Sequence, residues 1–342
     1  MINKTSLLAA LSNRLGLFDA YGFSRSLLTK SQVAILTYHR ICPKKDNWQD
    51  SIEPHTFEQQ MGYFCKKYEI LSLAELTKHI VQKRRLPRKA IIITFDDGYM
   101  DNYLNAYPIL VKYHIPATIF LTTGHISSDN LFWWDKLCYI IQKTNKRKLN
   151  LEEFGEYSLQ SVEERNNTTK IITNKLIHFS ENRKNLLIEK LAQIASVDIP
   201  SGLAKQLYLS WAVVKQMSSD GIDFGAHTVN HPHLTNISFD QVRWETIKSK
   251  KDIERELEKE VSAFSYPYGN FNPKIVGLIK DNGFTCGVST LPTLVQLNDN
   301  ILALGRIAAM EDFNKFKVEL CGLLDDFQPL TKRKSWYSSK NG

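Results

Sequence analysis

Two short polar motifs in this sequence could together form a metal site. Asp96 and Asp97 follow residues 90–93, a short apolar run rich in β-branched side chains. His227 and His231 lie four positions apart in a second motif. One carboxylate and two imidazoles leave coordination positions for water and substrate, which is typical of a catalytic rather than a structural metal site. The residue types therefore predict a catalytic metal site, provided that the fold brings the two motifs together.

The position of each motif along the chain supports this prediction more than its composition does. Residues 90–93 are predicted to form a strand buried on both faces, and carboxylates at the rim of an apolar core are costly unless a cation or hydrogen-bond donors compensate them. Barrels and open α/β folds place their chemistry at the carboxyl ends of strands. By itself, Asp96-Asp97-Gly98 is also good turn chemistry. The two histidines would share one face on a helical turn, although a chance surface pair, with His233 nearby, is the plainer interpretation.

An alternation of strands and helices surrounds these motifs and predicts a parallel α/β fold. The rhythm breaks between about residues 125 and 208, where a polar stretch with helical segments predicts an insertion rather than a separate domain. The predicted strands are residues 33–38, 70–71, 90–93, 114–121, 221–226, 262–266, 284–289 and 303–308. The predicted helices between them include residues 57–68, 73–82, 105–113, 211–217, 239–260 and 274–282.

The ends of the chain are predicted to be accessory segments. Residues 1–30 form an N-terminal helical extension in this interpretation, because their leucines and Phe18 fall at helical spacing. The helix is expected to dock on the protein itself, with contact to a membrane surface as the less favoured alternative. Residues 31–327 would form the barrel, and residues 328–342 a polar tail.

Composition narrows the function classes. The net charge of +8 is divided among short clusters, so nucleic-acid binding is not expected. The five cysteines are scattered and show no CxxC spacing, which favours a reducing compartment. No stretch approaches the roughly 20 apolar residues of a membrane span, and the N-terminal apolar patch is too interrupted for a signal peptide. The expected location is the cytoplasm, with peripheral contact at the inner membrane face as a variant.

Three motifs in order resemble those of the NodB-like polysaccharide deacetylases, carbohydrate esterase family 4. They are Thr94-Phe95-Asp96-Asp97-Gly98, His227-Thr228-Val229-Asn230-His231 and Tyr266-Pro267-Tyr268-Gly269. Tyr38-His39 also looks like the opening of that family, so the resemblance covers about residues 33–310. It implies a distorted (β/α) barrel of about seven strands. It also implies an enzyme that removes acetyl groups from N-acetylated sugars with a bound divalent metal.

The resemblance implies a role for each matched side chain. Asp97, His227 and His231 would be the metal ligands, and Asp96 the general base. A bound metal lowers the pKa of its water toward about 7, so a neighbouring carboxylate can take the proton. Two imidazoles and one carboxylate suit zinc best, although cobalt, nickel or iron would also fit.

The third motif would serve the oxyanion and the substrate. The backbone N–H of Tyr268 would donate to the oxyanion, and Pro267 would fix the local backbone that aims it. Trp133, Trp134 and Tyr268 are candidates for a sugar-stacking wall, because aromatic faces bind the C–H surfaces of carbohydrates.

The chain departs from the family pattern at two places, and an Asp-x-x-Asp-Trp motif is absent from it. Ser265 stands where relatives carry an arginine, and Leu304-Gly305-Arg306 replaces the late Leu-x-His motif. We hypothesise that Arg306 enters the site and supplies the charge missing at Ser265. Guanidinium does not release its proton readily. The leaving amine would therefore be protonated by Asp96, once it has accepted a proton, or by His39.

The expected substrate is an N-acetylated sugar of a glycan or of a lipid-linked precursor. Two alternatives remain open at this point. The same site could act on O-acetyl esters or on other carbon–nitrogen amide bonds. The protein could also be an inactive paralogue that binds glycan, although the complete set of Asp96, Asp97, His227 and His231 argues against this. The sequence leaves the oligomeric state open.

Overall fold

The computed structural model describes residues 32–43, 51–151 and 154–320. The predicted N-terminal extension and polar tail lie outside these ranges. Among the described residues, no helix combines the length and the apolar character needed to cross a membrane. The strands are β1 Val33–Tyr38, β2 Arg40–Ile41, β3 Ser51–Ile52, β4 Glu69–Ile70, β5 Ala90–Phe95, β6 Ala117–Leu121, β7 Lys148–Leu151, β8 Gly155–Ser158, β9 Asp223–Ala226, β10 Ala263–Ser265, β11 Cys286–Val288 and β12 Ile307–Ala308.

The helices fill most of the intervals between strands. They are α1 Pro54–Lys67, α2 Leu73–Val81, α3 Tyr107–Tyr113, α4 Trp133–Lys143, α5 Val162–Leu176, α6 Glu181–Ala195, α7 Leu203–Leu207, α8 Trp211–Ser219, α9 Phe239–Leu257, α10 Pro273–Asp281 and α11 Phe313–Leu320. Shorter helical turns are Asn102–Ala106, Leu234–Asn236 and Pro267–Gly269.

A sheet of parallel strands organises the fold. Its order is β11-β10-β9-β6-β5-β1-β12, and β4 pairs beside the first half of β5. The two margins of the sheet approach each other through one segment, because Leu304 bridges to Val288 of β11 while Ile307 of β12 pairs with Leu36 of β1. The sheet therefore curls into a distorted barrel, and the predicted (β/α) barrel of about seven strands is confirmed.

The central strands are apolar throughout because both of their faces are covered. All six residues of β1 and all six of β5 are buried. Val33 and Ile35 pack in one hydrophobic cluster, whereas Ala34 and Leu36 pack in another on the opposite face. This is the burial that continuous runs of β-branched residues favour in parallel sheets.

The register of the sheet aligns the strand ends that carry the polar motifs. Tyr38 pairs with Phe95, and Phe95 pairs with Ile119 of β6. Leu121 of β6 pairs in turn with Ala226 of β9. The residues that follow these strands, among them His39, Asp96 and His227, therefore meet at one edge of the sheet.

The predicted helix at residues 105–113 differs from the observed one. A π-helical turn occupies Asn102–Ala106, and regular α-helix begins only at Tyr107. Pro108 is the second residue of α3; it has no N–H to donate, and its ring crowds the carbonyl four residues earlier. A wider turn accommodates this local constraint.

The predicted insertion contains a β-hairpin as well as helices. Strands β7 and β8 pair antiparallel, and they lie between α4 and α5. Helices α4, α5 and α6 pack around a hydrophobic cluster of their own that includes Leu137, Ile172 and Ile188. The segment is thus a small subdomain with its own core.

Candidate active site

The turn after β5 directs its two carboxylates to different partners. Asp97 adopts a left-handed backbone with φ of 74°, which is uncommon for a residue other than glycine. Gly98 follows with φ of 79°, and a Cβ there would lie 2.9 Å from Leu121 Cδ2. The Asp96 N–H donates to the Tyr38 carbonyl and fixes the start of the turn. Asp96 and Asp97 are both buried.

Asp97 lies within reach of both predicted histidine ligands. Its Oδ1 is 3.6 Å from His227 Nε2 and 3.6 Å from His231 Nε2. One ligand atom from each of the three residues falls within 4.8 Å of the others. His227 Nδ1 lies 2.8 Å from the Ser265 carbonyl, which sets the proton on Nδ1 and leaves the Nε2 lone pair facing Asp97.

The two histidines meet for a different reason from the predicted helical turn. Residues 227–231 form an irregular loop in which Thr228 and His231 have φ of 66° and 57°. The His231 N–H donates to Thr228 Oγ1 at 3.0 Å. The assumption of a helical face is therefore wrong, although the spacing does bring the two rings to within 4.7 Å of each other.

A buried carboxylate on α9 holds this loop in place. Glu245 Oε2 accepts from the N–H groups of Val229 and Asn230 at 2.8 and 2.9 Å. Its Oε1 accepts from Asn230 Nδ2 at 2.9 Å. Glu245 was not predicted from the sequence. The available signal was its place on the apolar face of the helix, three residues after Val242.

Burial sets the charge states of the three candidate ligands. It lowers the pKa of His227 to about 4, and burial together with His227 lowers the pKa of His231 well below its usual range. Both rings are therefore neutral near pH 7 and keep lone pairs for a metal. Burial, and then the Asp96 and Asp135 carboxylates, raise the pKa of Asp97 well above its ordinary value.

The cluster fits a divalent cation. Asp97 Oδ1 is buried and meets no hydrogen-bond donor among the described residues. A cation would supply the opposite charge that this carboxylate lacks, and a carboxylate with two neutral imidazoles is a donor set for zinc or a similar metal.

Asp96 is held by Arg306, the residue predicted to supply the charge that is missing at Ser265. Arg306 Nη1 lies 2.8 Å from Asp96 Oδ1, and Nη2 lies 2.6 Å from Oδ2. Nη2 also donates to Ser265 Oγ at 3.0 Å, and Nε donates to the Ser289 carbonyl at 3.1 Å. Arg306 is only 1% exposed, so this is a buried bidentate pair.

The pair determines the ionisation of Asp96. Burial would raise its pKa, but the Arg306 guanidinium, and after it His227, hold the pKa well below its usual range. Asp96 is therefore a carboxylate whose orientation is fixed by two hydrogen bonds from Arg306 and one from Ser265 Oγ at 3.2 Å.

The predicted aromatic residues form one wall of a cleft beside these groups. Trp133 Nε1 donates to Tyr268 Oη at 3.2 Å, and Trp134 Nε1 donates to Tyr99 Oη at 2.8 Å. The Lys184 ammonium from α6 is fully buried, 4.9 Å from the centre of the Trp133 ring. These contacts fix the rings, and all three predicted aromatic residues line the cleft.

Of the other residues predicted to belong to the site, His39 and Tyr268 line the cleft, whereas Pro267 does not. His39 lines the cleft together with Asp96 and Asp97. Tyr268 has a left-handed backbone with φ of 56°, and its ring stacks on His233 with centroids 3.7 Å apart. Pro267 is buried in the turn and is not among the cleft-lining residues, so it is placed to shape the backbone rather than to touch a ligand.

A further buried carboxylate that lines the cleft, Asp135, was not predicted from the sequence either. Asp135 Oδ2 accepts from the hydroxyls of Tyr99 and Tyr208. Burial raises its pKa to about 6, against the opposing effect of Arg40. Its position directly after the two tryptophans was the signal in the sequence.

The fold and the site together define the class of protein: a parallel α/β barrel with an Asp–His–His cluster and a second, arginine-bound carboxylate at the carboxyl edge of its sheet. Residues 83–287 match the sequence model of the polysaccharide deacetylase family. The chain therefore belongs to this family, and the predicted membership is confirmed.

Individual relatives are distant. The poly-beta-1,6-N-acetyl-D-glucosamine N-deacetylase of Staphylococcus epidermidis is 24% identical, with the match covering 83% of this chain and 81% of that protein. The Streptococcus pyogenes deacetylase PplD in complex with acetate has a similar fold, with a TM-score of 0.57 at 22% identity over 84% of this chain and 98% of PplD. IcaB from Ammonifex degensii has a TM-score of 0.56 at 17% identity, over 86% of this chain and 98% of IcaB.

Proposed function

We propose that this protein is a metal-dependent hydrolase that removes the acetyl group from an N-acetylated sugar of a glycan or glycolipid precursor. The observation that carries the proposal is the convergence of Asp97, His227 and His231 beside the arginine-bound Asp96, in a chain of the polysaccharide deacetylase family. The N-deacetylase relative of Staphylococcus epidermidis supports an amide as the target bond.

Asp97 and the two histidines would hold the cation. A cation bound there would act as a Lewis acid that polarises the amide carbonyl and lowers the pKa of water. Zinc suits the three ligands best, and cobalt, nickel or iron fit the same donors.

Asp96 is placed to move the proton. Because Arg306 keeps it ionised and oriented, its carboxylate can accept a proton from the water that attacks the amide carbon. The same guanidinium disfavours the protonated form of Asp96, so the proton is readily passed on to the leaving nitrogen. His39 lines the same cleft and is the other candidate donor for that nitrogen. The backbone N–H of Tyr268 would donate to the oxyanion.

Acetate release from an N-acetylated oligosaccharide tests this proposal. Asp96→Asn is expected to lower kcat by about 10²- to 10⁴-fold, the range that general base catalysis contributes. Its metal content, measured by mass spectrometry, should stay unchanged. Asp299→Asn, at an exposed position, is the matched control.

Other outcomes would replace the proposal. Near-normal turnover of Asp96→Asn would remove this carboxylate from the chemistry. Acetate from O-acetyl esters but not from amides would make the protein an esterase. Glycan binding without acetate release from any substrate would identify the inactive paralogue.

Glu245→Gln is expected to weaken metal binding, although Glu245 is not itself one of the candidate ligands. The amide would present an N–H₂ group to a donor that now meets a carboxylate oxygen, at a cost of roughly 1–3 kcal/mol in the free energy of unfolding. The histidine loop would loosen, and metal affinity should fall by about 10- to 100-fold. Glu254→Gln on the same helix is the control, because its carboxylate does not contact the loop. Unchanged metal affinity in Glu245→Gln would show that the loop is held by other contacts.

A further inference from the structure

Tyr268, whose backbone N–H would donate to the oxyanion, is held from two sides. Its left-handed backbone, with φ of 56°, is uncommon for a residue other than glycine, and such a conformation persists only where the surroundings hold it. From the barrel, the His233 ring stacks on the tyrosine ring, with centroids 3.7 Å apart and an interplanar angle of 7°. From the insertion, Trp133 Nε1 donates to Tyr268 Oη at 3.2 Å. The insertion therefore reaches the third motif through this tyrosine.

A buried ammonium from the insertion lies beside both partners of this hydrogen bond. Lys184 of α6 is fully buried, and its Nζ is 4.9 Å from the centre of the Trp133 ring and 5.8 Å from that of the Tyr268 ring. A cation within about 6 Å of an aromatic face is attracted to it, and the attraction grows when water is excluded. Lys184 thus links the two rings to each other and to α6.

Core packing does not explain an ammonium at this position. The buried stripe of α6 continues from Lys184 through Ile188, Leu191 and Ala195, which pack in the apolar core of the insertion. Lys184 pairs with Glu181 at 2.8 Å, but the side chain of Glu181 is 41% exposed. A buried charge costs free energy even when it is paired, and apolar residues of similar volume are often at least as stable in its place. The lysine therefore needs a reason other than the stability of the insertion.

The Tyr268 ring and the Tyr268 N–H belong to one residue, so support of the ring is also support of the N–H. An oxyanion donor acts through its geometry, and a displacement of about 1 Å at a reacting centre can cost about 100-fold in rate. Trp133, at the start of α4, packs in the same core as the apolar stripe of α6 that follows Lys184. The two groups are therefore parts of one packed support for the tyrosine.

We infer that Lys184 is a positioning residue for the deacetylation: its buried ammonium fixes the rings of Trp133 and Tyr268, and through them the direction of the Tyr268 N–H. The insertion, which contains none of the three motifs, then contributes to stabilisation of the transition state. This inference rests on the proposed function and adds a supporting residue to the same site.

The kinetics of Lys184→Met test this role in the full-length, metal-loaded protein, with acetate release from the tetrasaccharide of N-acetylglucosamine as the readout. We expect kcat to fall by about 10- to 100-fold, somewhat less than the loss of a whole oxyanion donor. KM should change by less than about twofold, because the oxyanion is absent from the ground state. Lys184→Arg keeps a cation that can lie over the rings and should recover most of kcat. Lys190→Met, at an exposed position of the same helix, is the matched control and should leave both constants unchanged.

A double variant tests whether the effect passes through the tyrosine ring. Tyr268→Ala keeps the backbone N–H but removes the ring on which the ammonium acts. In that background, Lys184→Met should lower kcat by less than about twofold, because the two changes remove one interaction. The melting temperature and zinc content of each variant report whether the fold and the metal site persist. Lys184→Gln, which is uncharged but polar, provides the same test if the methionine variant is unstable.

Each contrary result has a distinct meaning. Normal kcat in a folded Lys184→Met, or a further large loss of kcat in the Tyr268→Ala background, would overturn the positioning role and leave the deacetylase proposal intact. A change in KM alone would make Lys184 a substrate-binding group and would also overturn the inference. Loss of the fold or of the metal in both uncharged variants would make the ammonium a stabilising group of the insertion, with the same consequence. If the unaltered protein released no acetate, the proposed function would fail, and the inference with it.

Discussion

Purified His231→Ala is expected to lose both its bound divalent cation and its turnover. Residues that only support metal ligands cost about 10- to 100-fold in affinity when removed, so the loss of a ligand should exceed a hundredfold. Two donors, Asp97 and His227, would remain, and they cannot hold a cation against water as three can. The measurements are metal content after dialysis and the increase in melting temperature on adding zinc, since a ligand of the folded state alone stabilises it.

His178→Ala is the control for this prediction, because His178 is exposed in the insertion. It should bind one cation per chain and show the same rise in melting temperature as the unaltered protein. If His231→Ala retained a full equivalent of metal, or if the unaltered protein bound none, the Asp–His–His site would have to be abandoned.

Arg306→Met is expected to lower kcat by orders of magnitude while the metal content stays intact. Methionine keeps much of the volume but leaves the buried Asp96 carboxylate without its bidentate partner. Removing one partner of a buried ion pair typically costs about 3–5 kcal/mol in the free energy of unfolding. Arg306→Lys should be intermediate, because an ammonium restores the charge but not the two parallel hydrogen bonds.

A double variant separates the electrostatic part of this effect. In Asp96→Asn with Arg306→Met, no uncompensated carboxylate remains, so the stability loss should be smaller than the sum of the two single losses. Additive losses would show that Arg306 acts through packing alone. Near-normal turnover of a folded Arg306→Met would remove the arginine from the mechanism.

The strand ends were predictable because they follow from strong local signals. The apolar run before Asp96 can only be buried on both faces, and parallel register then brings the end of β1 beside it. The order of the motifs along the chain predicted that the histidines and the third motif would lie at the same edge of the sheet. The replacement of the missing arginine at Ser265 by Arg306 could be hypothesised from the sequence because both departures from the pattern concerned one charge.

The rest depended on tertiary contacts, and the local sequence pattern does not identify the partners in such contacts. The loop that carries the two histidines is shaped by residues with left-handed backbone conformations and is held by the Glu245 carboxylate. The four-residue spacing of the histidines reveals neither feature. The contribution of α5 to the cleft, through Thr169 and Thr173, could not be predicted. A threonine on a helix gives the same sequence pattern whether its side chain faces solvent or a cleft. The hairpin of the insertion was missed since its strands are short and mostly polar.

The closing segment of the barrel has a consequence for when the enzyme becomes competent. Arg306 lies between Leu304, which bridges to β11, and Ile307, which pairs with β1. The Arg306 guanidinium can therefore pair with Asp96 only after the last segment of the barrel has been synthesised. A growing chain would carry Asp96 through most of its synthesis without this counter-charge, so the barrel and the Asp96–Arg306 ion pair are completed by the same few residues.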